Sequence, residues 1–126
     1  MEQKYYTNER AQQIVISLLK AHNIKKIIAS PGTTNLTLVA SLQQDSYFEI
    51  YSAADERSAA YLACGLAAES GEPVVLSCTG ATASRNYLPA FCNLAKCYRF
   101  GNGCVIDKDR ALKILRRAAD LGWPDA

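Results

Sequence analysis

The chain has 126 residues, of which 49% are hydrophobic and 21% charged, with a formal net charge of +2. That length supports one domain with a real core but not two generous ones, and so small a charge gives no footprint for nucleic acid. No apolar run approaches a membrane span, and Met1-Glu2-Gln3-Lys4-Tyr5-Tyr6 has no apolar signal core, so the expected location is the cytoplasm with no membrane partner.

In chain order, residues 8–22 read as an amphipathic helix. Asn8 is the expected cap, and Ala11, Ile14, Val15, Leu18 and Leu19 form the expected apolar stripe. Ile24 to Ala29 is a short strand that stops at Ser30-Pro31-Gly32. Residues 34–43 follow as a helix, and Phe48 to Ser52 as a second strand. Asp55 opens a helix that runs to Ser70-Gly71, and Pro73 to Ser77 is a third strand. Apolar runs of this kind predict parallel strands covered on both faces. Helices alternating with strands make residues 1–89 α/β.

After Pro89 the pattern changes. Ala90 to Phe100 reads as a short helix, Gly101-Asn102-Gly103 as a break, and Asp107 to Leu121 as a second helix stopped by Gly122 and Pro124. The charge shifts at the same place. Residues 1–89 carry seven Lys/Arg against eight Asp/Glu, and residues 90–126 carry seven against four. The expected architecture is therefore an incomplete parallel three-stranded sheet with flanking helices, followed by a C-terminal αα-hairpin, with a boundary between residues 89 and 90. A sheet of three strands leaves an open edge. That edge predicts poor solution behaviour.

Five cysteines (Cys64, Cys78, Cys92, Cys97, Cys104) form no C-x-x-C pair, and His22 lies far from them in sequence. They read as reduced, mostly buried thiols rather than a metal site.

Three segments fall where α/β folds place ligands, beyond the carboxyl ends of strands. They are Ser30-Pro31-Gly32-Thr33-Thr34-Asn35, Asp55-Glu56-Arg57-Ser58-Ala59-Ala60, and Cys78 through Tyr87. Each alone has an ordinary account. Pro-Gly makes a turn, Asp55 caps a helix whose dipole Glu56 complements, and Gly80-Ala81-Thr82 makes a loop.

Taken together and in order, with Gly65-Leu66-Ala67, Gly71-x-Pro73-Val74 and Asn86-Tyr87-x-Pro89-Ala90, these segments resemble the start of the pyrimidine-binding domain of thiamine-diphosphate enzymes. The likeness is strongest to the menaquinone-pathway synthase and 2-oxo-acid decarboxylase type. The resemblance implies that Glu56 is catalytic, bonding N1′ of the cofactor's aminopyrimidine and so preparing the cofactor to attack a 2-oxo acid carbonyl. It implies that Thr79, Gly80 and Asn86 join Glu56 in holding the cofactor, while Ser30, Gly32 and Arg57 face the substrate. Gly80 followed by Ala81 departs from the family's usual serine-then-glycine order, which leaves the substrate class open. These enzymes hold diphosphate and Mg²⁺ in a separate domain with a Gly-Asp-Gly segment. This sequence has no Gly-Asp-Gly, and Gly101-Asn102-Gly103 lacks the metal-binding carboxylate. The resemblance thus implies thiamine diphosphate as cofactor, no metal ligand on this chain, and a diphosphate-binding domain or second subunit as a required partner. The chain alone is expected to be inactive.

Residues 90–126 resemble one Sel1-like repeat, a relative of tetratricopeptide hairpins. The likeness rests on Leu94-Ala95, Tyr98, Gly101-x-Gly103, Asp107, Ala111, Ala118-Ala119, Gly122 and Ala126. It implies a protein partner docked on the hairpin, although such repeats need about three neighbours to bury a continuous core. A fusion without function of its own is the remaining alternative, since the boundary interrupts a sheet rather than separating complete units.

Overall fold

A computed structural model describes residues 4–121. The expectations placed on Met1 to Gln3, and on Gly122, Pro124 and Ala126, lie outside the described residues. Three short strands, β1 (Lys26–Ala29), β2 (Glu49–Ser52) and β3 (Val74–Ser77), form a parallel sheet in the order β2-β1-β3. Lys26 pairs with both Glu49 and Val74, and Ala29 with both Ser52 and Ser77, so the strands end level. Among the described residues six helices accompany them: α1 (Arg10–Ala21), α2 (Leu36–Gln43), α3 (Glu56–Ser70), α4 (Ala81–Ser84), α5 (Leu88–Phe100) and α6 (Lys108–Asp120). A 3-10 turn over Arg85–Tyr87 joins α4 to α5.

Alternation along β1 sorts the layers. Ile27 faces one side, where it packs with Ile16 of α1, Leu42 of α2 and Phe48. Ile28 faces the other, against Ala59 and Ala63 of α3. Small alanines on α3 let that helix lie close to the sheet. The central strand is therefore covered on both faces, as its unbroken apolar run predicts. The edge strand β2 is not: Tyr51 is exposed.

The helix α1 departs from the expected pattern in two ways. Its cap position is Glu9 rather than Asn8, and no side-chain bond closes it. Thr7 anchors the entry instead. Its backbone N–H donates to Ser41 Oγ at 2.9 Å, and its carbonyl accepts from Gln13 Nε2 at 2.9 Å. The buried face is also different. Ile16 is 2% exposed, whereas Ile14 and Leu18 are 50% and 52% exposed, and Ala11 and Val15 are open as well. Five apolar residues crowd the six positions from Ile14 to Leu19, so two faces of the helix are equally apolar in sequence. The sheet chooses the face that meets Ile27 and Leu42.

The later elements follow their signals more closely. Asp55 caps α3, accepting from the Ser58 N–H at 2.7 Å, and Gly71 ends it in the left-handed region. Asp107 caps α6 in the same way through the Arg110 N–H at 2.8 Å. The segment 81–87, expected as a loop, is helical, and α5 begins at Leu88 with Pro89 in its first turn, where a missing N–H costs nothing. The position expected as a boundary thus lies inside the first turn of α5.

The helices α5 and α6 form the expected hairpin. Leu88 and Cys92 meet Ala118, with Phe91 and Leu115 beside them. Gly101 makes the turn at φ 74°, a conformation side chains resist. The hairpin also packs on the α/β body: Tyr87 and Ala90 close over Ala60 of α3, with Cys64, Leu76, Cys78 and Phe91 around them. Cys92 is buried, Cys64, Cys78 and Cys97 half-buried, and Cys104 exposed. Among the described residues no helix is long and apolar enough to cross a membrane.

Expected outcome: Ile16→Ala costs about 2–4 kcal/mol of unfolding free energy, since it empties a packed site. Leu18→Ala stays within about 0.5 kcal/mol, as at other open surface positions. Urea denaturation of both variants checks which face of α1 is buried.

Candidate functional site

The connection from β1 to β2 runs through α2 on one face, and that from β2 to β3 through α3 on the other. The chain therefore leaves β1 and β3 in opposite directions. A crevice opens between their carboxyl ends, where open α/β sheets bind ligands. The segments after β1 and β3 meet there.

Asn35 builds this end. It is buried, and its side chain satisfies three partners. Its Oδ1 accepts from the Gly32 N–H at 2.9 Å, and its Nδ2 donates to the Ser30 carbonyl at 3.1 Å and to Ser77 Oγ at 3.0 Å. One amide thus folds the Ser30–Gly32 turn and ties it to the end of β3. Ser30 N–H donates to the Ser77 carbonyl at 2.8 Å, extending the ladder one residue past β1. Thr34 Oγ1 donates to the Thr79 carbonyl, binding the two segments again.

Gly32 and Thr79 touch. A Cβ built on Gly32 would overlap Thr79 Cγ2, with Thr79 Cβ next at 3.5 Å. Glycine is needed here for close approach rather than for a turn. Ser30 is buried, and its hydroxyl finds no hydrogen-bond partner. Gly80 is exposed and extended, at φ 168°.

The acidic pair stands beyond β2. Ala53 N–H donates to the Ala29 carbonyl at 2.9 Å, carrying the ladder up to Asp55. Asp55 is committed to capping: its Oδ2 also accepts from Ser58 Oγ at 2.7 Å. These bonds, the Ser58 hydroxyl first, hold its carboxyl below the ordinary value. Glu56 begins α3 and is half-buried. Among the described residues it shares in none of the ion pairs, which join Lys20 to Asp45 and Lys26 to Glu49 and Glu72. Its carboxylate is within electrostatic reach of Tyr87, whose hydroxyl is buried without an acceptor. Burial, the Cys78 thiol and the Glu56 charge together push that hydroxyl far above its ordinary value.

The structure therefore brings Ser30, Gly32 and Thr79 together, and leaves Glu56 within electrostatic reach of Tyr87. Arg57 and Asn86 are both exposed, and neither meets the others. Sequence reasoning did not single out Asn35, Thr34 or the Tyr87 hydroxyl. For Asn35 a signal exists: an asparagine three residues after a turn glycine can accept that glycine's N–H.

This arrangement suits the ring half of a thiamine cofactor. An uncommitted, half-buried carboxylate beside an orphaned hydroxyl can share a proton with a ring nitrogen, and the crevice offers hydroxyl and backbone groups. No cluster of three acidic, histidine or cysteine groups able to hold a metal occurs among the described residues.

The family model for the thiamine pyrophosphate enzyme N-terminal TPP binding domain matches residues 9–105, running past Ala90 and through the Gly101–Gly103 turn. The chain is 42% identical over 85 residues to the 2-succinyl-5-enolpyruvyl-6-hydroxy-3-cyclohexene-1-carboxylate synthase of Porphyromonas gingivalis, covering 68% of this chain and 15% of that protein. Against the enzyme of the same name from Bacteroides thetaiotaomicron the identity is 39% over the same coverage. For Enterococcus faecalis it is 40% over 74 residues, covering 59% of this chain and 13% of the relative. The chain spans about 15% of the length of these curated relatives.

Two outcomes test the geometry. Gly32→Ala destabilises the chain by about 1–3 kcal/mol through overpacking. Adding Thr79→Ser removes the obstructing methyl and restores most of that loss, a coupling that a double-mutant thermal melt reads. The depressed Asp55 carboxyl contributes stability above the ordinary carboxylate range and loses it as pH falls through the folded value. Asp55→Asn retains a capping oxygen and flattens that acid limb in melts recorded against pH.

Proposed function

We propose a function from one premise: this chain belongs to the thiamine pyrophosphate enzyme family, through its N-terminal TPP binding domain. Residues 1–89 are the pyrimidine-binding side of a 2-oxo-acid decarboxylase or carboligase site, of the ancestry that the matched synthases represent. The observation that carries this reading is Glu56. It starts α3 at the carboxyl end of the sheet, half-buried and outside the ion pairs of the described residues, while its neighbour Asp55 is occupied as the helix cap.

In this reading the Glu56 carboxyl hydrogen-bonds to, and shares a proton with, the ring nitrogen N1′ of the aminopyrimidine. Thr79, Gly80 and Asn86 line the cofactor on the β3 side. Ser30, Gly32 and Arg57 face the substrate. Thiamine diphosphate, when bound, supplies the electron sink for breaking the bond next to a 2-oxo acid's carbonyl. The residues of this chain bind and orient the ring and hold the proton at Glu56. Diphosphate and Mg²⁺ come from a separate domain or second subunit, so this chain alone turns over no 2-oxo acid. The setting is cytoplasmic.

A second reading concerns residues 90–126. The hairpin α5–α6 presents an outer helix that rests on α5, with exposed apolar residues, as a Sel1-like repeat would for stacking on further helical hairpins. This favours a protein partner, with the domain division at residue 89.

Calorimetric titration of the chain with thiamine diphosphate and Mg²⁺ tests the first reading. Saturable binding is expected, weakened about tenfold or more by Glu56→Gln, which keeps shape but cannot share the proton. Absence of binding by the unaltered chain, or equal binding by Glu56→Gln, removes Glu56 from the role.

A further inference from the structure

The hairpin carries a groove that the thiamine reading does not use. It has a volume of about 410 Å³ and lies between the end of α5 and one side of α6, lined by Arg99, Lys108, Ala111, Leu112 and Leu115. Ala111 and Leu115 form its floor, Leu112 is 47% exposed, and the two cations stand at the rim. Lys108, Leu112 and Leu115 sit at helical spacing on one stripe of α6.

The charge around this groove is one-sided. Residues 88–121 hold seven Lys/Arg against three Asp, leaving seven Lys/Arg and nine Asp/Glu in the rest of the chain. No ion pair among the described residues neutralises a hairpin cation, since all of them lie on Lys20 and Lys26. Arg99 stacks over the Phe100 ring at 5.3 Å, which orients the guanidinium without cancelling its charge.

From this we propose that the α5–α6 groove docks an acidic amphipathic helix of a partner protein, with leucine-type residues on the floor and carboxylates on Arg99 and Lys108. An apolar trough between two helices accepts a third helix by ridge-and-groove packing, and the basic rim selects acidic flanks. A second copy of this chain is disfavoured as the occupant. A two-fold pair through this face would set the same cations against each other. The inference stands on the hairpin's own surface and holds whether or not the chain binds thiamine diphosphate.

The test is fluorescence anisotropy of the full chain with a labelled synthetic helix bearing leucines on one face and glutamates beside them. Saturable binding that weakens with added salt is expected. The double variant Arg99→Glu/Lys108→Glu and, separately, Leu112→Asp should each weaken it roughly tenfold or more, with unchanged far-ultraviolet ellipticity. These positions are exposed, so the variants keep the fold. Three results would overturn the proposal. One is no saturation, or binding that neither variant weakens. Another is equal binding by a scrambled peptide of the same composition or by an RNA oligonucleotide, which would reduce the effect to bare charge. The third is a concentration-dependent dimer in sedimentation that Leu112→Asp abolishes, which would make a second copy the occupant.

Discussion

The carboxyl end of the sheet depends on one buried amide. Asn35 is the first residue before α2, yet its side chain reaches across to the ends of both β1 and β3. Without it, the buried Ser30 carbonyl would lose this partner at about 1–3 kcal/mol, and the part-buried Gly32 N–H would lose its acceptor. With it, the Ser30–Gly32 turn has one conformation, and Gly32 can lie directly against Thr79. A tight seam at the point where the strand connections diverge is what turns three short strands into a platform. The platform then holds the acidic helix start of α3 at a set height above the sheet.

The other half of the molecule is organised by small residues. Ala59, Ala60 and Ala63 on α3 and Ala90 on α5 allow close helix contacts, and Tyr87 fills the space they leave near Cys78. This matters for the site because Tyr87 belongs to the connection between the α/β body and the hairpin. It lies beside Glu56 and also inside the cluster that seats α5. The hairpin is therefore joined to the body by packing as well as by chain, through the same short segment that flanks the carboxylate. The family match running to residue 105 accords with α5 being part of that body.

Much of this was legible in the sequence, for identifiable reasons. The limits of α3 were readable because Asp55 and Gly71 are strong local signals whose geometry depends on few other residues. The sheet was readable because β1 is apolar at every inward position. The buried face of α1 was not, because Ile14, Val15, Ile16, Leu18 and Leu19 offer two apolar stripes and only tertiary contact with Ile27 and Leu42 selects one. Helix over Ala81–Ser84 was hidden by its four-residue length, too short for any periodicity to register. At the candidate site, the place of Glu56 at the start of α3 was legible from the Asp55 cap signal, whereas Asn35 and the Tyr87 hydroxyl gain their importance from partners 42 and 5 residues away, or from burial that local sequence does not encode.

The two ends of the sheet divide the charges between them. At the amino end, Lys26 meets Glu49 and Glu72, so the charges there are spent on holding strand ends together, and the Glu72 bond raises the Lys26 amine above its ordinary value. At the carboxyl end the strand-end turns present hydroxyls and amides: Ser30, Thr34, Asn35, Ser77 and Thr79. Two carboxylates adjacent in sequence open α3 beyond this end. Asp55 points back to the Ser58 N–H and hydroxyl and is consumed in starting the helix. Glu56, one residue on, is turned by roughly 100° around the helix axis and so cannot reach the same donors. The cap that fixes α3 thereby leaves its neighbour as the uncommitted acid at the start of the helix, which is what the proposed proton sharing with a ring nitrogen calls for.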